Sequence, residues 1–392
     1  MHSHAVAVGV EVLTTVLAVA GMGYFVAAIV AARLFISSRP RVVASYAPGV
    51  SILKSLKGLD PRMLDAFRSH CRQEYAGEYE LLFGVSSLKE PAVAAVRELQ
   101  AEFPERAIEL IECPERLGSN GKVSTLFQLS IHARYEYLLI NDSDITVSPR
   151  YLQRVMAAFA AQGTQPQVGM VTALYRGRAH GTRASLLEAL GIATDFMPGV
   201  LLSGMIEGGL KYGLGSTLAV RRDALENAGG LLGLVDELAD DHQMGVRIVN
   251  AGYRIALCSE VVETAVPAYN WRGFVDHQLR WARTVRNASP GGYAGLIFTH
   301  GLSWAFLNMI ASGLSPLSLW IFGMSFFLRI AQAMTVGAEV LGDHQVLPNL
   351  WLLPFRDLIH MGIWIAGFAG NTIVWRGESF TLKKGKLESA GG

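Results

Sequence analysis

The sequence predicts an α/β domain with a largely parallel sheet, flanked by apolar segments long enough to span a membrane. In the middle of the chain, short strand-like runs alternate with helical patterns, which is typical of a parallel sheet. The chain of 392 residues is 51% hydrophobic with a mean hydropathy of +0.30. Such a composition is too apolar for an ordinary soluble enzyme and too mixed for a pure membrane bundle.

The first apolar segment, Val12–Ala32, predicts a membrane span. No Lys or Arg precedes it, which argues against a cleavable signal peptide. Arg33, Arg39 and Arg41 follow it, and basic residues after a span favour the cytoplasmic side. We therefore expect a membrane anchor over residues 1–40 and a cytosolic catalytic domain over residues 41–289.

Seven short runs predict the strands of this domain. They are Val50–Leu56, Glu80–Val85, Ile108–Cys113, Tyr137–Ile140, Val168–Leu174, Ser216–Val220 and Ile255–Cys258. Helical patterns between them include Asp60–Cys71, Pro91–Phe103 and Ser148–Ala160. In parallel sheets of this kind, ligands bind beyond the carboxyl ends of the strands.

Two aspartates, Asp142 and Asp144, follow the fourth predicted strand at such an end. Alternate residues of a strand share a face, so both carboxylates can converge on one Mg²⁺ or Mn²⁺ ion. A metal held in this way can neutralise a diphosphate leaving group. The alternative is a polar turn with a helix cap at Ser148.

Two further motifs lie downstream. Asp240 and Asp241 open a helical pattern, where a carboxylate either caps the helix or deprotonates a substrate hydroxyl. His277, Arg280 and Trp281 share a later helix, on which Arg280 is placed to bind a diphosphate and Trp281 to stack on a sugar or apolar face. The alternative is an amphipathic helix at the membrane surface.

Three more apolar stretches, Tyr293–Ser312, Leu317–Val336 and Leu358–Trp375, predict a C-terminal membrane region over 290–376 with a basic tail over 377–392. Three full spans would put this tail outside, whereas Lys383, Lys384 and Lys386 favour the inside.

The net charge of +1 gives no indication of a nucleic-acid partner. The three cysteines, Cys71, Cys113 and Cys258, lack metal-ligand spacing and are expected to be reduced.

Taken together, these motifs resemble the inverting GT-A membrane glycosyltransferases, and most closely the ceramide glucosyltransferases. A bacterial branch that glycosylates hopanoid lipids is similar in several segments. The resemblance covers the chain from the first span to the tail. It rests on Pro48–Gly58 (PGVSILKSLKG), Gly118–Ser124 (GSNGKVS), Asp142–Asp144, Asp241, Arg280–Trp281 and Trp375–Gly377 (WRG), and for the hopanoid branch on Leu174–Gly177 (LYRG) and His277–Thr284 (HQLRWART).

The resemblance implies a role for each of these motifs. Asp142 and Asp144 would bind the metal and the diphosphate, and Asp241 would be the general base. Arg280 and Trp281 would close a signature in which His277 replaces the family's Gln or Arg.

Two further residues are candidates for nucleotide-sugar binding. Glu90 falls where the family has its first Asp, although it also suits the N-terminus of a helix that starts at Pro91. Lys122 would contact the nucleotide phosphates, or remain a solvated lysine.

The implied activity is transfer of a hexose, most simply glucose, from a UDP-sugar to ceramide at a bacterial inner membrane. Transfer of N-acetylglucosamine to a hopanoid lipid is an alternative. A processive polysaccharide synthase and a non-enzymatic scaffold are rival interpretations.

Overall fold

A computed structural model describes residues 2–39, 45–160, 166–375, 378–383 and 386–389. The chain divides into two compact units. The sheet unit comprises residues 39–180, 206–268 and 372–392, and the helical unit comprises residues 1–38, 181–205 and 269–371. Both units are assembled from separate stretches of the chain.

The sheet unit is built on an eight-stranded mixed sheet. Its strands are β1 (Val50–Leu56), β2 (Tyr79–Val85), β3 (Ala107–Glu112), β4 (Tyr137–Ile140), β5 (Ile145–Thr146), β6 (Val168–Ala179), β7 (Leu218–Arg221) and β8 (Arg254–Val266). Their spatial order is β3-β2-β1-β4-β7-β6-β8-β5. Neighbours β3, β2, β1 and β4 run parallel, as do β6 and β8, whereas β7 is antiparallel to β4 and β6. The carboxyl ends of β1, β4, β6 and β8 therefore share one edge of the sheet.

Helices between the strands cover this sheet. They are α2 (Met63–Cys71), α3 (Ala92–Glu102), α4 (Gly121–His132), α5 (Tyr151–Ala157), α8 (Arg222–Asn227) and α9 (Asp240–Asn250). Apolar side chains of β1, β2 and α2, such as Ile52, Phe83 and Phe67, are fully buried in one core. All seven predicted strands are present, and β6 and β8 extend well beyond their predicted ends.

The C-terminal segment forms a second, antiparallel sheet of β9 (Thr372–Trp375), β10 (Glu378–Lys383) and β11 (Lys386–Ser389). Ile373, Phe380 and Leu382 pack with Leu238 in a small apolar cluster, and Glu237 forms a β-bridge with Lys386. The tail is thus part of the sheet unit, beside the segment that leads into α9.

The helical unit contains the apolar segments. Its helices are α1 (His2–Ser38), α6 (Arg183–Gly191), α7 (Met197–Ile206), α10 (Trp271–Ala288), α11 (Pro290–Gly295), α12 (Gly301–Ala311), α13 (Pro316–Ala333) and α14 (Leu353–Gly367), with a π-helical turn, Ile192–Phe196, joining α6 to α7. Gly21 on α1 meets Gly301 on α12 so closely that a Cβ atom would overlap the facing backbone. The Asn308 amide on α12 donates to the Thr14 and Thr15 hydroxyls of α1. Small residues and polar side chains hold membrane helices together in this way.

Charged side chains are buried inside the helical unit. Arg329 of α13 pairs with Asp357 of α14 at 2.7 Å and with Asp195 at 2.6 Å. Arg356 lies 3.2 Å from Asp195. Each charge has an opposite partner, which offsets the large cost of removing it from water.

Within the described residues, three helices are long and apolar enough to cross a membrane: Ala5–Ser38, Arg183–Ile206 and Pro316–Val340. The first and last agree with the predicted spans at Val12–Ala32 and Leu317–Val336. The predicted span at Tyr293–Ser312 corresponds to two helices, Pro290–Thr299 and Gly301–Ala311, which are together apolar enough for a span but are bent by 56°.

The prediction of a span at Leu358–Trp375 was wrong. α14 ends at Gly367, and Thr372–Trp375 is a strand. Of the apolar residues in this stretch, Met361, Ile363 and Ile373 are buried, whereas Leu358, Ile365 and Phe368 are exposed. Conversely, the apolar helix Arg183–Ile206 was not predicted from the sequence, because it lies between strands of the predicted catalytic domain. Arg41, Arg376, Gly377 and Lys384, which also entered the sequence predictions, lie outside the described residues.

The strand pairing limits which of these helices can cross a bilayer. β6 and β7 lie in one sheet, yet the chain between them contains Arg183–Ile206. A single crossing would separate two paired strands, so this helix must begin and end on the same side. The same rule applies between β8 and the C-terminal strands, where crossings must be even in number. We therefore expect the C-terminal tail and the sheet to share one side, as the basic residues of the tail also favour.

This topology is testable with single introduced cysteines, because the natural Cys71, Cys113 and Cys258 are all buried. In sealed vesicles of one orientation, a membrane-impermeant maleimide should label Arg178→Cys, Glu207→Cys and Lys386→Cys from the same side. Val6→Cys, at the start of α1, should be labelled only from the other side. Labelling of positions 178 and 207 from opposite sides would contradict the assignment of Arg183–Ile206 as a non-crossing helix.

Candidate functional site

Two segments that carry carboxylates meet at Gly215. β4 ends at Ile140, so Asp142 follows its carboxyl end, and α9 begins at Asp240. A Cβ atom at Gly215 would lie 3.0 Å from Asp241 Oδ2 and 3.8 Å from Asp142 Oδ2. The structure thus brings the two predicted acidic motifs together, and a Cβ atom at position 215 would crowd Asp241 and touch Asp142.

Backbone donors hold the Asp241 carboxylate in place. The Gly215 N–H donates to Oδ2 at 2.9 Å, and the His242 N–H donates to Oδ1 at 2.8 Å. Burial raises the pKa of Asp241, and the charge of Lys122 opposes that rise. Each carboxylate oxygen can accept more than one hydrogen bond, so Asp241 keeps the capacity to receive a further proton donor.

Lys122 lies among these acids. Its Nζ donates to Asp142 Oδ1 at 2.7 Å and is 3.8 Å from Asp240 Oδ2. Burial alone would lower the pKa of Lys122, but the carboxylates of Asp142 and Asp240 outweigh it and raise the pKa above its ordinary value. Lys122 is therefore charged, and the prediction of a purely solvated lysine does not fit this position.

Asn120 fixes the start of α4, from which Lys122 extends. Its Oδ1 accepts the Val123 N–H at 3.2 Å and so caps the helix. Its Nδ2 donates to the Glu237 carbonyl at 2.8 Å and reaches Asp240 Oδ1 at 3.4 Å. The N-cap of α9 is Ala239, which makes no side-chain cap. Asp240 therefore contacts Asn120 and Lys122 rather than serving as the helix cap.

Asp144 accepts a hydrogen bond from the Thr264 hydroxyl of β8. Burial and then the charge of Asp142 raise the pKa of Asp144 to about 6, against the opposing effect of the Thr264 bond. A carboxylate in this environment is stabilised by any added positive charge.

A buried polar network lies beneath the acidic motif. Lys54, on the central strand β1, is fully buried and donates to Asn141 Oδ1 at 2.7 Å and to the Asp142 carbonyl at 3.0 Å. Asn141 Nδ2 in turn lies 3.0 Å from His70 Nε2 and 3.4 Å from the Tyr151 hydroxyl. Burial lowers the pKa of Lys54 to about 7, against the charges of Asp144 and Asp142. This network fixes the end of β4.

Glu90 lies at the carboxyl ends of β1 and β2. Its carboxylate accepts the Gly58 N–H and the Ser86 hydroxyl, both at 3.2 Å. The first helical residue after it is Ala92. Nearby, the Ser143 hydroxyl donates to Asp60, so the loop after β1 is tied to the segment that carries the acidic motif.

The remaining predicted site residues lie in the helical unit. His277, Arg280 and Trp281 belong to α10, where the rings of His277 and Trp281 are 5.0 Å apart. Their participation in a site with the aspartates stays a prediction.

Asp142 and Asp144 can hold a divalent cation only when other ligands complete its coordination shell. Among the described residues, no group of three or more His, Cys, Asp or Glu side chains is arranged to hold a metal ion. Two carboxylates with the remaining positions filled by phosphate oxygens and water are nevertheless a common way to bind Mg²⁺. The Asp142 side chain is 44% exposed and can meet such a complex.

Lys54, Asp60, Asn120 and Thr264 were not identified as site residues from the sequence. Lys54 had a signal, because a lysine in the middle of a central apolar strand requires a buried acceptor. The other three depend on contacts across long chain separations, which no local pattern encodes.

Curated relatives point to sugar transfer. Ceramide glucosyltransferase 3 of Caenorhabditis elegans is 24% identical over 363 residues, which cover 87% of this chain and 74% of the relative. An N-acetylglucosaminyltransferase of Sinorhizobium fredii is 23% identical over 307 residues, 76% of this chain and 72% of that protein.

A solved structure shares the fold. The mannosyltransferase PcManGT of Pyrobaculum calidifontis, in complex with GDP-Man and Mn²⁺, superposes with a TM-score of 0.52. It is 21% identical, and the alignment covers 92% of this chain and 97% of that one. The predicted GT-A-like fold, with its mostly parallel sheet, is confirmed.

The family model for glycosyl transferase family 21 matches residues 13–388, nearly the whole chain. Together with the relatives, it supports transfer of a sugar from a nucleotide sugar by a membrane-associated protein. This chain belongs to glycosyl transferase family 21.

Proposed function

We propose that this protein transfers a hexose from a UDP-sugar to a membrane lipid, with glucose and ceramide as the first candidates. The observation that carries the proposal is the meeting of Asp142 and Asp241 at Gly215, with Lys122 beside them. This proximity supports the proposal that a diphosphate-binding motif and a base act on one sugar. Similarity to ceramide glucosyltransferases supports the choice of donor and acceptor.

The reaction is a single inverting displacement. Asp241 accepts the proton of the lipid hydroxyl as its oxygen bonds to the anomeric carbon, and the bond from that carbon to UDP breaks. The Gly215 and His242 N–H groups keep the carboxylate oriented. Lys122 turns from Asp142 toward the diphosphate, and Glu90 contacts the nucleotide. Arg280 stabilises the departing UDP, and Trp281 packs against the acceptor or the sugar.

Asp142 and Asp144 would hold the metal ion, Mg²⁺ or Mn²⁺. Such an ion, when bound, neutralises charge on the diphosphate. The neighbour with Mn²⁺ supports a divalent metal.

A second candidate is the transfer of N-acetylglucosamine to a lipid such as a hopanoid. The similarity to a bacterial N-acetylglucosaminyltransferase favours it. Both candidates share the site and differ in the pockets for sugar and lipid.

We infer that the protein resides in a bacterial inner membrane with the sheet unit in the cytoplasm. Arg33 and Arg39 follow the apolar part of α1, and basic residues accumulate on the cytoplasmic side of a span.

The function is tested with the purified full chain in liposomes, supplied with UDP-glucose or UDP-N-acetylglucosamine and a panel of ceramide, hopanoid and soluble alcohols. Mass spectrometry should find one sugar added to a lipid and little transfer to alcohols that lack a lipid tail. A polymer product would favour a processive synthase. Absence of UDP release with every lipid would favour a scaffold.

Replacing Asp241 by Asn should lower turnover about 10²–10⁴-fold, the usual contribution of a positioned base. UDP affinity should change less than about threefold, since the amide keeps the size of the side chain. Because burial raises the pKa of Asp241, the base is protonated, and activity lost, at a higher pH than for a free aspartate. Turnover is measured with saturating donor. Asp276→Asn, which changes an exposed side chain on α10, is the control. Near-normal turnover in Asp241→Asn would show that Asp241 is not the base.

Lys122 should make Mn²⁺ binding depend on UDP, because its ammonium competes with the ion for Asp142. In Lys122→Met, free Mn²⁺ should bind about tenfold more tightly, while UDP in the presence of Mn²⁺ should bind more weakly. Asp144→Ala should weaken Mn²⁺-dependent UDP binding without this gain. Electron paramagnetic resonance of Mn²⁺ and calorimetry measure both quantities. Lys211→Met, whose exposed ammonium pairs with Glu207, is the matched control. Equal Mn²⁺ affinity with and without UDP in the natural protein would contradict this competition.

A further inference from the structure

Glu188 is a buried carboxylate that no step above uses. It lies on α6 and is 3% exposed. Its Oε2 is 3.0 Å from His277 Nδ1 and 3.5 Å from Gln278 Nε2, both on α10. A carboxylate only accepts hydrogen bonds, so Nδ1 of His277 carries the proton and the orientation of the imidazole is fixed. Glu188 thereby determines how this ring faces its neighbours.

The His277 ring contacts two aromatic side chains. Its centroid is 5.3 Å from that of Tyr269, with the planes 28° apart, and 5.0 Å from that of Trp281. The ring centroids of Trp281 and Phe196 are 6.3 Å apart. A rotation of the imidazole would therefore disturb Trp281 directly. Arg280 lies three residues after His277, on the same side of the helix.

Glu188 is itself held by the interior of the helical unit. Gln278 accepts a hydrogen bond from Arg356 Nη2 at 3.2 Å, and Arg356 Nε donates to the Leu187 carbonyl at 3.1 Å. A Cβ atom at Gly191 would overlap the Arg356 guanidinium, so this glycine leaves room for the contact. α6 and α10 are thus tied together at the level of Glu188.

We propose that Glu188 and His277 are positioning residues for Trp281 and Arg280. Glu188 orients His277, and His277 supports the indole of Trp281. This inference rests on the proposed roles of Arg280 and Trp281 in sugar transfer. It also accounts for a histidine at position 277, where the resemblance places Gln or Arg, because any side chain with an N–H of similar reach can donate to Glu188.

The test measures turnover and the KM for UDP-glucose in the full chain, with the lipid that serves as acceptor. Glu188→Ala should lower turnover about tenfold to a hundredfold, the effect of losing a hydrogen bond to a charged group. The KM should change less than about threefold, because the donor-binding acids are untouched. His277→Gln should retain turnover within about threefold of the natural protein, since its amide donates to Glu188, whereas His277→Phe should lose as much as Glu188→Ala.

The double variant Glu188→Ala with His277→Phe should be no slower than either single variant, because both act through one contact. Asp276→Ala, next to His277 but exposed and 3.9 Å from Arg272, should be silent. Thermal unfolding of each variant identifies those that fail to fold. If Glu188→Ala fails to fold, the comparison of His277→Gln with His277→Phe still tests the positioning role.

The positioning role would be overturned if the losses of turnover in the double variant were additive. It would also be overturned if His277→Gln were inactive while its thermal unfolding matched that of the natural protein. A loss in Arg280→Ala with none in Glu188→Ala would overturn it too, while leaving the proposed function intact. Full activity in both Arg280→Ala and Trp281→Ala would instead remove α10 from the proposed mechanism, and the positioning role with it.

Discussion

The acidic edge of the sheet depends on compensation of negative charge. Asp142, Asp144, Asp240 and Asp241 are gathered there from distant parts of the chain, and carboxylates in a shared site repel one another unless cations lie among them. Lys122 supplies one positive charge between Asp142 and Asp240. Lys54, bonded to the Asp142 carbonyl, lies behind the motif. Because burial lowers the pKa of Lys54 to about 7, Lys122 and a partly charged Lys54 do not balance four aspartates. The edge therefore remains suited to a divalent cation that arrives with a diphosphate. The raised pKa of Asp144 has the same origin, in burial and the neighbouring charge.

The helical unit meets the same electrostatic constraint without a ligand. Arg329 and Arg356 are buried with Asp195 and Asp357, and each charge has an opposite neighbour. Removing one partner of such a buried pair strongly destabilises a protein, because the other charge is left unpaired in an apolar environment. They therefore specify how α13 and α14 pack against the π-helical turn. Glu188 and His277 extend this polar interior to α10, the helix that carries Arg280 and Trp281.

Predictions from the sequence were accurate where a short apolar run or an alternating pattern marks a strand. The predicted β1 and β4 match their observed bounds, and the Asp pair lies at the edge where the parallel-sheet rule places a ligand site. Apolarity was a poorer guide, because it reports removal from water and does not distinguish lipid from protein. Leu358–Trp375 therefore resembled a span although it ends in a strand, and Arg183–Ile206 was absorbed into the catalytic domain. The contact of Lys122 with Asp142 joins residues 20 positions apart, and that of Asn120 with Asp240 joins residues 120 apart, so neither leaves a local signature.

The chain leaves the sheet for the helical unit at two points. β6 and β8 are parallel neighbours, and the pair Ala179 and Val266 closes their ladder at its carboxyl end. The chain enters the helical unit just after each of these residues, at 181 and at 269. β4 runs in the same direction, since β7 is antiparallel to both β4 and β6. Both departures toward the apolar helices thus leave from the edge of the sheet that carries Asp142. The direction of β6 and β8, which sends the chain from the sheet into the apolar helices, is thus the same direction that puts Asp142 at the carboxyl end of β4.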